Sequence, residues 1–391
     1  MANLIVSEKR TLNRQMRKRS GRPIRLAEVL IDGISANAAR EGEMVQMWQR
    51  LAVTSDDPNF HSFVEGLDAV LAVNKIGGEG PRLSSTNHAL IVIHADNSAD
   101  VWVDNLAISI QALVLRDVRK GEAVYLQDIG DIRGVKVGGV KFCPDDKIFF
   151  LFRDAWRFGF YMNTSKKFDV DEMSLALAML YRKMRYAHLY DAISNQPLFD
   201  RIVSEGWFPF AEIIGGEFRK LLEYARAGWP LDSANDLVLA AFDENRLDRM
   251  LTRWMARPHF AAKRPLLEEA IKAFKEHRPV SVLKIVLTEI EGILADAHKA
   301  ERGKRAKLPA LLQFAKEAAV RRSGAPDSLL LPDAFGLYLS GYTFRNFNPE
   351  TEDGTAGSRH AVGHGAAEST SYTQARALQA ILTLDQLALA T

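Results

Sequence analysis

The stretch RFGFYMNTSKKFDVDEMSLALAMLYRKMRYAHLYDAI, residues 157–193, holds the change of grammar that decides the fold. Up to Asn163 the chain is written in short apolar and aromatic runs of the kind that form strands, and RFGFYMN (157–163) reads as one more sheet edge. After Lys167 the period changes. An Asp cap opens 169–193, and apolar residues then recur three and four positions apart, as a helix requires.

Upstream of this switch, ALIVIH (89–94) and DVWVDN (100–105), joined by the polar ADNSA, predict a hairpin of roughly five-residue strands. Further strands are expected at ISIQALVL (108–115), AVYLQDI (123–129), GVKVGGVKF (134–142) and KIFFLF (147–152). Lys120-Gly121, Gly138-Gly139 and Pro144-Asp145 separate or interrupt them. The sum is a small antiparallel sheet of six or seven strands. In FLFRDAWRFGFYM (150–162) the alternation suits a half-buried sheet with Arg153 and Arg157 reaching outward; a ligand groove with those arginines on a phosphate is the competing reading. Residues 26–53 have helix-like spacing, which predicts a helix over 26–55. KIGGEGPRLSST (75–86) reads as a flexible loop; it lacks the Gly-Lys-Ser/Thr ending of a phosphate-binding P-loop.

Downstream, helices are expected near 198–206, 210–227, 235–244, 246–256, 263–276, 279–300, 306–319 and 330–340. The aromatic GWFPF (206–210) is expected in a core. In SYTQARALQAILTLDQLALA (371–390), Ala375, Leu378, Ile381, Leu382 and Leu389 form an apolar stripe with further apolar coverage, capped by Thr370 or Ser371. Such a helix is expected to be buried, within the chain or across a dimer. The fold class is therefore α+β, a small antiparallel β-rich N-terminal domain followed by an all-α helical bundle. The expected organisation is a basic arm (1–25), a helix (26–55), a β-rich domain (56–167), a helical connecting region (168–278) and a helical bundle (279–391).

Composition narrows the chemistry. The 391 residues are 47% hydrophobic and 26% charged, ordinary for a globular chain with an ample core. Cys143 is the only cysteine, which excludes an intramolecular disulfide or a Cys-based zinc cluster and fits a reducing compartment. Apolar runs such as IFFLF (148–152) are far short of the ~20 residues that cross a bilayer. No charged-then-apolar leader opens the sequence, so a cytoplasmic protein without membrane association is expected. The first 25 residues carry eight Lys and Arg against Glu8, a surplus of +7 in a total of +2, so the remainder carries −5. Such an arm is a solvated extension or a tether for nucleic-acid phosphates. No aromatic interrupts it, so base stacking has no platform there.

The residues that could carry chemistry lie in GSRHAVGHGAAES (357–369), where Arg359, His360 and His364 are flanked by glycines. Five residues separate Arg359 from His364, about 500° of rotation, so a regular helix leaves them roughly 140° apart. His360 and His364, four apart, share a face. Gly363 and Gly365 weaken a continuous helix and permit close approach of another backbone. A histidine titrating near neutrality suits proton transfer, and an arginine fork suits two phosphate oxygens. His360-x-x-x-His364 has helical zinc-pair spacing, but Ala361 stands where the HExxH pattern needs Glu, so no metal is expected. No GxSxG elbow exists, and Cys143 has no histidine near it in sequence, so nucleophilic hydrolysis has no support. His94 and His188 read as structural histidines.

An arginine, a polar residue, three more and a histidine ahead of a last amphipathic helix resembles the signature of the HEPN family, all-helical and usually dimeric. Arg359 matches the arginine, His360 the variable polar position and His364 the histidine. The wider run SRHAVGHG…ALQAILTLDQL is similar to the tail of bacterial proteins with an Arg-His-x-x-x-His-Gly motif, and EIEGIL (289–294) would be an earlier helix of the same bundle. The resemblance covers roughly the last 110 residues. It implies a HEPN-like bundle, a metal-independent endoribonuclease of a bacterial defence, antiviral or toxin type, RNA as substrate, no cofactor and a homodimer. A trigger protein or antitoxin would be a further partner. Arg359 would stabilise phosphate while His364, with His360, moves protons. Tyr342 and Arg345, in YLSGYTFRNF (338–347), would contact substrate. The alternative is a non-catalytic scaffold for protein or nucleic acid, in which Arg359 and His364 cap carbonyls or pair with Glu289 or Glu291.

Overall fold

The computed structural model describes residues 19–30, 39–45, 47–73, 86–346 and 354–391. The larger part of the basic arm (1–18), part of the 26–55 segment (31–38) and nearly all of the 75–86 loop lie outside the described residues. The chain divides into two compact units, residues 1–112 with 132–187, and residues 113–131 with 188–391.

The first unit is an antiparallel six-stranded sheet in the order β1-β4-β3-β7-β8-β2. Its strands are β1 (Ile24–Leu26), β2 (Arg50–Thr54), β3 (His88–Ile93), β4 (Ala99–Val103), β7 (Lys147–Asp154) and β8 (Arg157–Asn163). The predicted hairpin forms with Ile91 opposite Val101, and KIFFLF sits centrally between β3 and RFGFYMN. Both sheet faces are covered, not one. Helix α1 (Phe60–Val73) lays Phe60, Phe63 and Leu67 on Ala89, Ile91, Phe149 and Phe160, while Leu90, Val92 and Phe150 are buried on the opposite side. There α2 (Val170–Arg185) packs on β8, β2 and β7, with Tyr181 stacked on Phe152 at 6.1 Å. Burial on both faces is why ALIVI and IFFLF read as continuous apolar runs. Gly159 lets α2 approach: a Cβ there would lie 3.0 Å from the Phe152 ring and 3.2 Å from the Met184 methyl.

Several expectations are corrected. No helix occupies the described part of 26–55; Leu51–Thr54 pairs instead with Met162–Gly159 of β8, because sheet pairing outweighs a weak helical period. The end of the basic arm is built into the sheet: β1 pairs with β4, and Trp102 Nε1 donates to the Gly21 carbonyl at 3.0 Å. Arg153 and Arg157 lie over Phe158 and Trp156 at 5.4 and 4.5 Å, and Arg157 also donates to the Met184 carbonyl. They are structural arginines, not a phosphate groove.

ISIQALVL and the start of GVKVGGVKF form β5 (Ala107–Val114) and β6 (Ile129–Gly138), a separate two-stranded sheet. AVYLQDI is not a strand. Asp128 accepts from the Tyr125 amide at 2.8 Å and from Arg116, which winds 126–128 into a single 3₁₀ turn.

His94, just past β3, is structural as expected. Its Nδ1 lies 2.9 Å from Asp146 and its Nε2 3.6 Å from Asp100. Burial lowers its pKa, but the two carboxylates outweigh burial and hold it above the ordinary 6.5. A raised folded pKa means the stabilisation is full below about 6.5 and is lost as pH rises through the folded value. The stability difference between wild type and His94→Gln is therefore expected to shrink from pH ~6 to ~8. Urea melts at both pH values check it; a pH-independent difference contradicts the ion pairing.

The second unit is helical: α3 (Ala187–Ser194), α4 (Gln196–Ser204), α5 (Gly216–Arg226), α6 (Asp232–Ala240), α7 (Glu244–Met255), α8 (Pro258–Ala261), α9 (Arg264–Lys275), α10 (Pro279–Arg302), α11 (Leu308–Ser323), α12 (Pro332–Tyr338), α13 (Arg359–Gly363) and α14 (Gln374–Ala390). Tyr186 divides the single helix expected over 169–193 into α2 and α3. GWFPF is core: Trp207 and Phe208 are fully buried, and Phe208 lies 5.2–5.3 Å from Phe335 and Tyr338. The last helix is buried within the chain along its length, capped by Thr373 rather than Thr370 or Ser371. Buried glutamines along it are bonded inside: Gln386 accepts from the Ala211 amide and donates to the Leu330 carbonyl, and Gln379 donates to the Glu205 carbonyl, while Gln374 Oε1 is buried without a partner among the described residues. Asp385 takes both guanidinium contacts of Arg253 at 2.8 Å and the Trp254 indole N–H at 2.8 Å; Arg253 also holds Glu212 at 2.6 Å and the Leu115 carbonyl. No described helix is long and apolar enough to cross a membrane.

Candidate functional site

The Arg-His-x-x-x-His segment forms its own short helix, α13, and does not run into α14. Ser358 caps it, accepting from the Ala361 amide and donating to the Arg345 carbonyl at 3.0 Å. Gly365, at φ +71°, closes it: the Ala366 amide bonds back to the Ala361 carbonyl and the Gly365 amide to that of Val362, the paired bonds of a Schellman end. Space around Gly363 and Gly365 is open, so neither serves a close backbone approach. The close backbone approach is at Gly354, against the Ala366 carbonyl, while Gly357 leaves room for a side chain: a Cβ there would run into the Tyr342 hydroxyl. Ala361 and Val362 are buried and anchor the helix, which packs on α10.

On this anchor Arg359 reaches Glu291 of α10, Nη2 to Oε2 2.7 Å, with about a third of each side chain exposed (32% and 30%). Glu291 is one of the two carboxylates the sequence offered; Glu289 instead holds Lys263 at 2.9 Å. His360 is half-buried and its Nε2 is buried without a hydrogen-bond partner among the described residues. Burial, then the neighbouring charges of Arg359 and His364, lower its pKa against an opposing pull from Glu291, so His360 is neutral at pH 7. His364 caps the C-terminus of α13 and is exposed. All three groups thus share one small element, with His360 within electrostatic reach of both others.

The two expected substrate contacts separate. Arg345 is exposed, and its carbonyl supports the Ser358 cap. Tyr342 faces inward: its hydroxyl donates to Gln379 Oε1 at 3.1 Å and accepts from Arg376 at 3.0 Å, and burial raises its pKa despite Arg376. It supports the floor under Gly357 instead of meeting a ligand at the surface. Gly357→Ala is accordingly expected to cost about 2 kcal/mol by overpacking against Tyr342, read as a lowered melting temperature. A melting temperature equal to wild type would show that this floor yields freely.

No group of three or more His, Cys, Asp or Glu side chains placed to hold a metal occurs among the described residues. His188, also expected to be structural, is tied by Nε2 to the Ile214 carbonyl at 2.8 Å. What sequence reasoning did not bring out is the Arg253–Glu212–Asp385 cluster, whose members are too far apart in sequence for any spacing to reveal. Compared with protein-family models, with curated proteins and with solved structures, the chain finds no match.

Proposed function

We propose that the α13 surface is a metal-independent site for cleaving RNA, shared between two copies of the chain. The observation that carries this reading is the exposed His364 capping the five-residue helix that Arg359 opens, with the neutral imidazole of His360 in electrostatic reach of both. In such a reaction the imidazole of His364 accepts the proton of a ribose 2′-hydroxyl as its oxygen bonds to phosphorus. Arg359 offers the nitrogens not engaged by Glu291 to the phosphate oxygens. The P–O5′ bond breaks and the 5′-oxygen takes a proton, leaving a 2′,3′-cyclic phosphate and a 5′-hydroxyl. One exposed imidazole cannot be base and acid in the same step, so the second is supplied by the other copy's His364. The buried Nε2 of His360 is placed to tune the charge of the site more than to reach substrate.

A second reading has its own observation. The Arg359–Glu291 ion pair satisfies the arginine internally, as a non-catalytic scaffold would require. The test is cleavage of single-stranded RNA in EDTA by wild type and by the Arg359→Ala/His364→Ala double variant. Cleavage by wild type alone supports the enzyme; equal rates, or none in either, leave the scaffold.

A further inference from the structure

Apart from α13, the second unit contains a cleft of ≈ 670 Å³ where α8, the ends of α10 and α11 and the end of α14 meet. Its lining includes Arg257, His259, Asp296, Phe314, Arg322 and Thr391. Five alanines (Ala262, Ala297, Ala300, Ala318 and Ala390) give the lining its apolar part, next to the buried Phe314, over whose ring the Arg321 guanidinium lies at 5.9 Å. The volume is that of a small-molecule site, apolar with a few convergent polar groups.

The charges there are unevenly matched. Arg321 is accounted for by Glu301 at 2.8 Å. Arg257 spends Nε on the Ala388 carbonyl at 3.1 Å, at the C-terminal end of α14, and among the described residues its two terminal nitrogens meet no acceptor. The exposed side chain of Arg322, in α11, makes no ion pair or hydrogen bond among the described residues. Both arginines line the cleft, and burial first, then the charge of Arg322, lowers the Arg257 pKa. Cations at helix ends balance the helix dipole, which explains one bond of Arg257. It does not explain why a second arginine lines the same cleft. His259, with Nε2 3.0 Å from Thr391 Oγ1, is held below its ordinary pKa by burial and by Arg257, so it stays neutral and can donate or accept.

We infer that this cleft binds a small phosphate monoester with an apolar or aromatic body, the phosphate held by Arg257 and Arg322 and the body against the alanines of the lining. A dianion removes the repulsion between the guanidiniums and gains charge-assisted bonds from both. Asp296 and Glu301 at the same cleft oppose a long polyanion, which is why a small ester fits better than a nucleic-acid backbone.

Calorimetric titration of the full chain with phenyl phosphate and with inorganic phosphate tests this. Saturable binding is expected for both, with phenyl phosphate about tenfold tighter from burial of its ring. Arg322→Ala is expected to weaken both about tenfold or more, from loss of a charge-assisted contact, with the melting temperature of the free protein unchanged. No saturable binding at millimolar ligand, binding indifferent to Arg322→Ala, or inorganic phosphate binding as well as the ester would each overturn the assignment. Neither outcome depends on RNA cleavage.

Discussion

Replacing Arg253 with methionine is expected to cost about 3–5 kcal/mol, because it leaves buried carboxylates without their counter-charge. Asp385 is almost wholly buried and Glu212 is 8% exposed at its side chain; both lie within 2.8 Å of the Arg253 guanidinium. Burial pushes the Asp385 carboxyl up to about 6 against the pull of Arg253, whose own guanidinium is held firmly charged by the two carboxylates despite burial. Arg246 still reaches Glu212 at 3.1 Å, so the loss concentrates on Asp385. The sign with pH follows. A carboxyl whose folded pKa lies above its unfolded value binds more protons when folded, so its contribution is most favourable at acid pH and declines as pH rises to about 6. Without Arg253 the folded pKa climbs further, and the deficit of the variant against wild type should be smaller at pH ~5 than at pH ~8. Adding Asp385→Asn, which keeps an acceptor for the Trp254 indole N–H, should restore part of the loss at pH 8. Chemical denaturation of the three proteins measures this. A deficit below about 1 kcal/mol for Arg253→Met would mean that the cluster is not a structural keystone.

The larger effect on activity is expected at His364. If it moves the proton, His364→Ala lowers RNA cleavage by about 10²- to 10⁴-fold while the melting temperature stays put, since the side chain is exposed. Glu291→Gln then separates the two readings of Arg359. In an enzyme it releases the guanidinium toward phosphate, and cleavage is kept or rises. In a scaffold it removes half of a partly exposed ion pair, and only a modest stability loss is seen, about 1 kcal/mol or less. Cleavage that survives His364→Ala and vanishes with Glu291→Gln would reject the proposed division of roles.

How much of this was legible in the sequence depended on how local the deciding forces were. The β3–β4 hairpin, β7 and β8 are legible because turn residues and apolar runs lie within a dozen residues of one another. Residues 50–54 are not, because their conformation is set by pairing with Phe160–Met162, over a hundred residues away. Helix α1 did carry its signal, Phe60, Phe63, Val64 and Leu67 at helical spacing after Asp-Asp-Pro, inside a segment that otherwise reads as strands. In the candidate site Arg359, His360 and His364 are legible in the sequence, and the arginine's partner only as a choice between Glu289 and Glu291, of which the structure pairs Glu291. The sequence could not supply the inward turn of Tyr342, which follows from Arg376 and Gln379 on α14.

The encasement of α14 has a consequence for biosynthesis. The helices that wrap it precede it in the chain, so they leave the ribosome before residues 374–390 and cannot bury their α14-facing side chains until it arrives. The second unit therefore completes its core only after that late segment is made, and nascent chains halted before it present a sticky intermediate of the kind chaperones intercept.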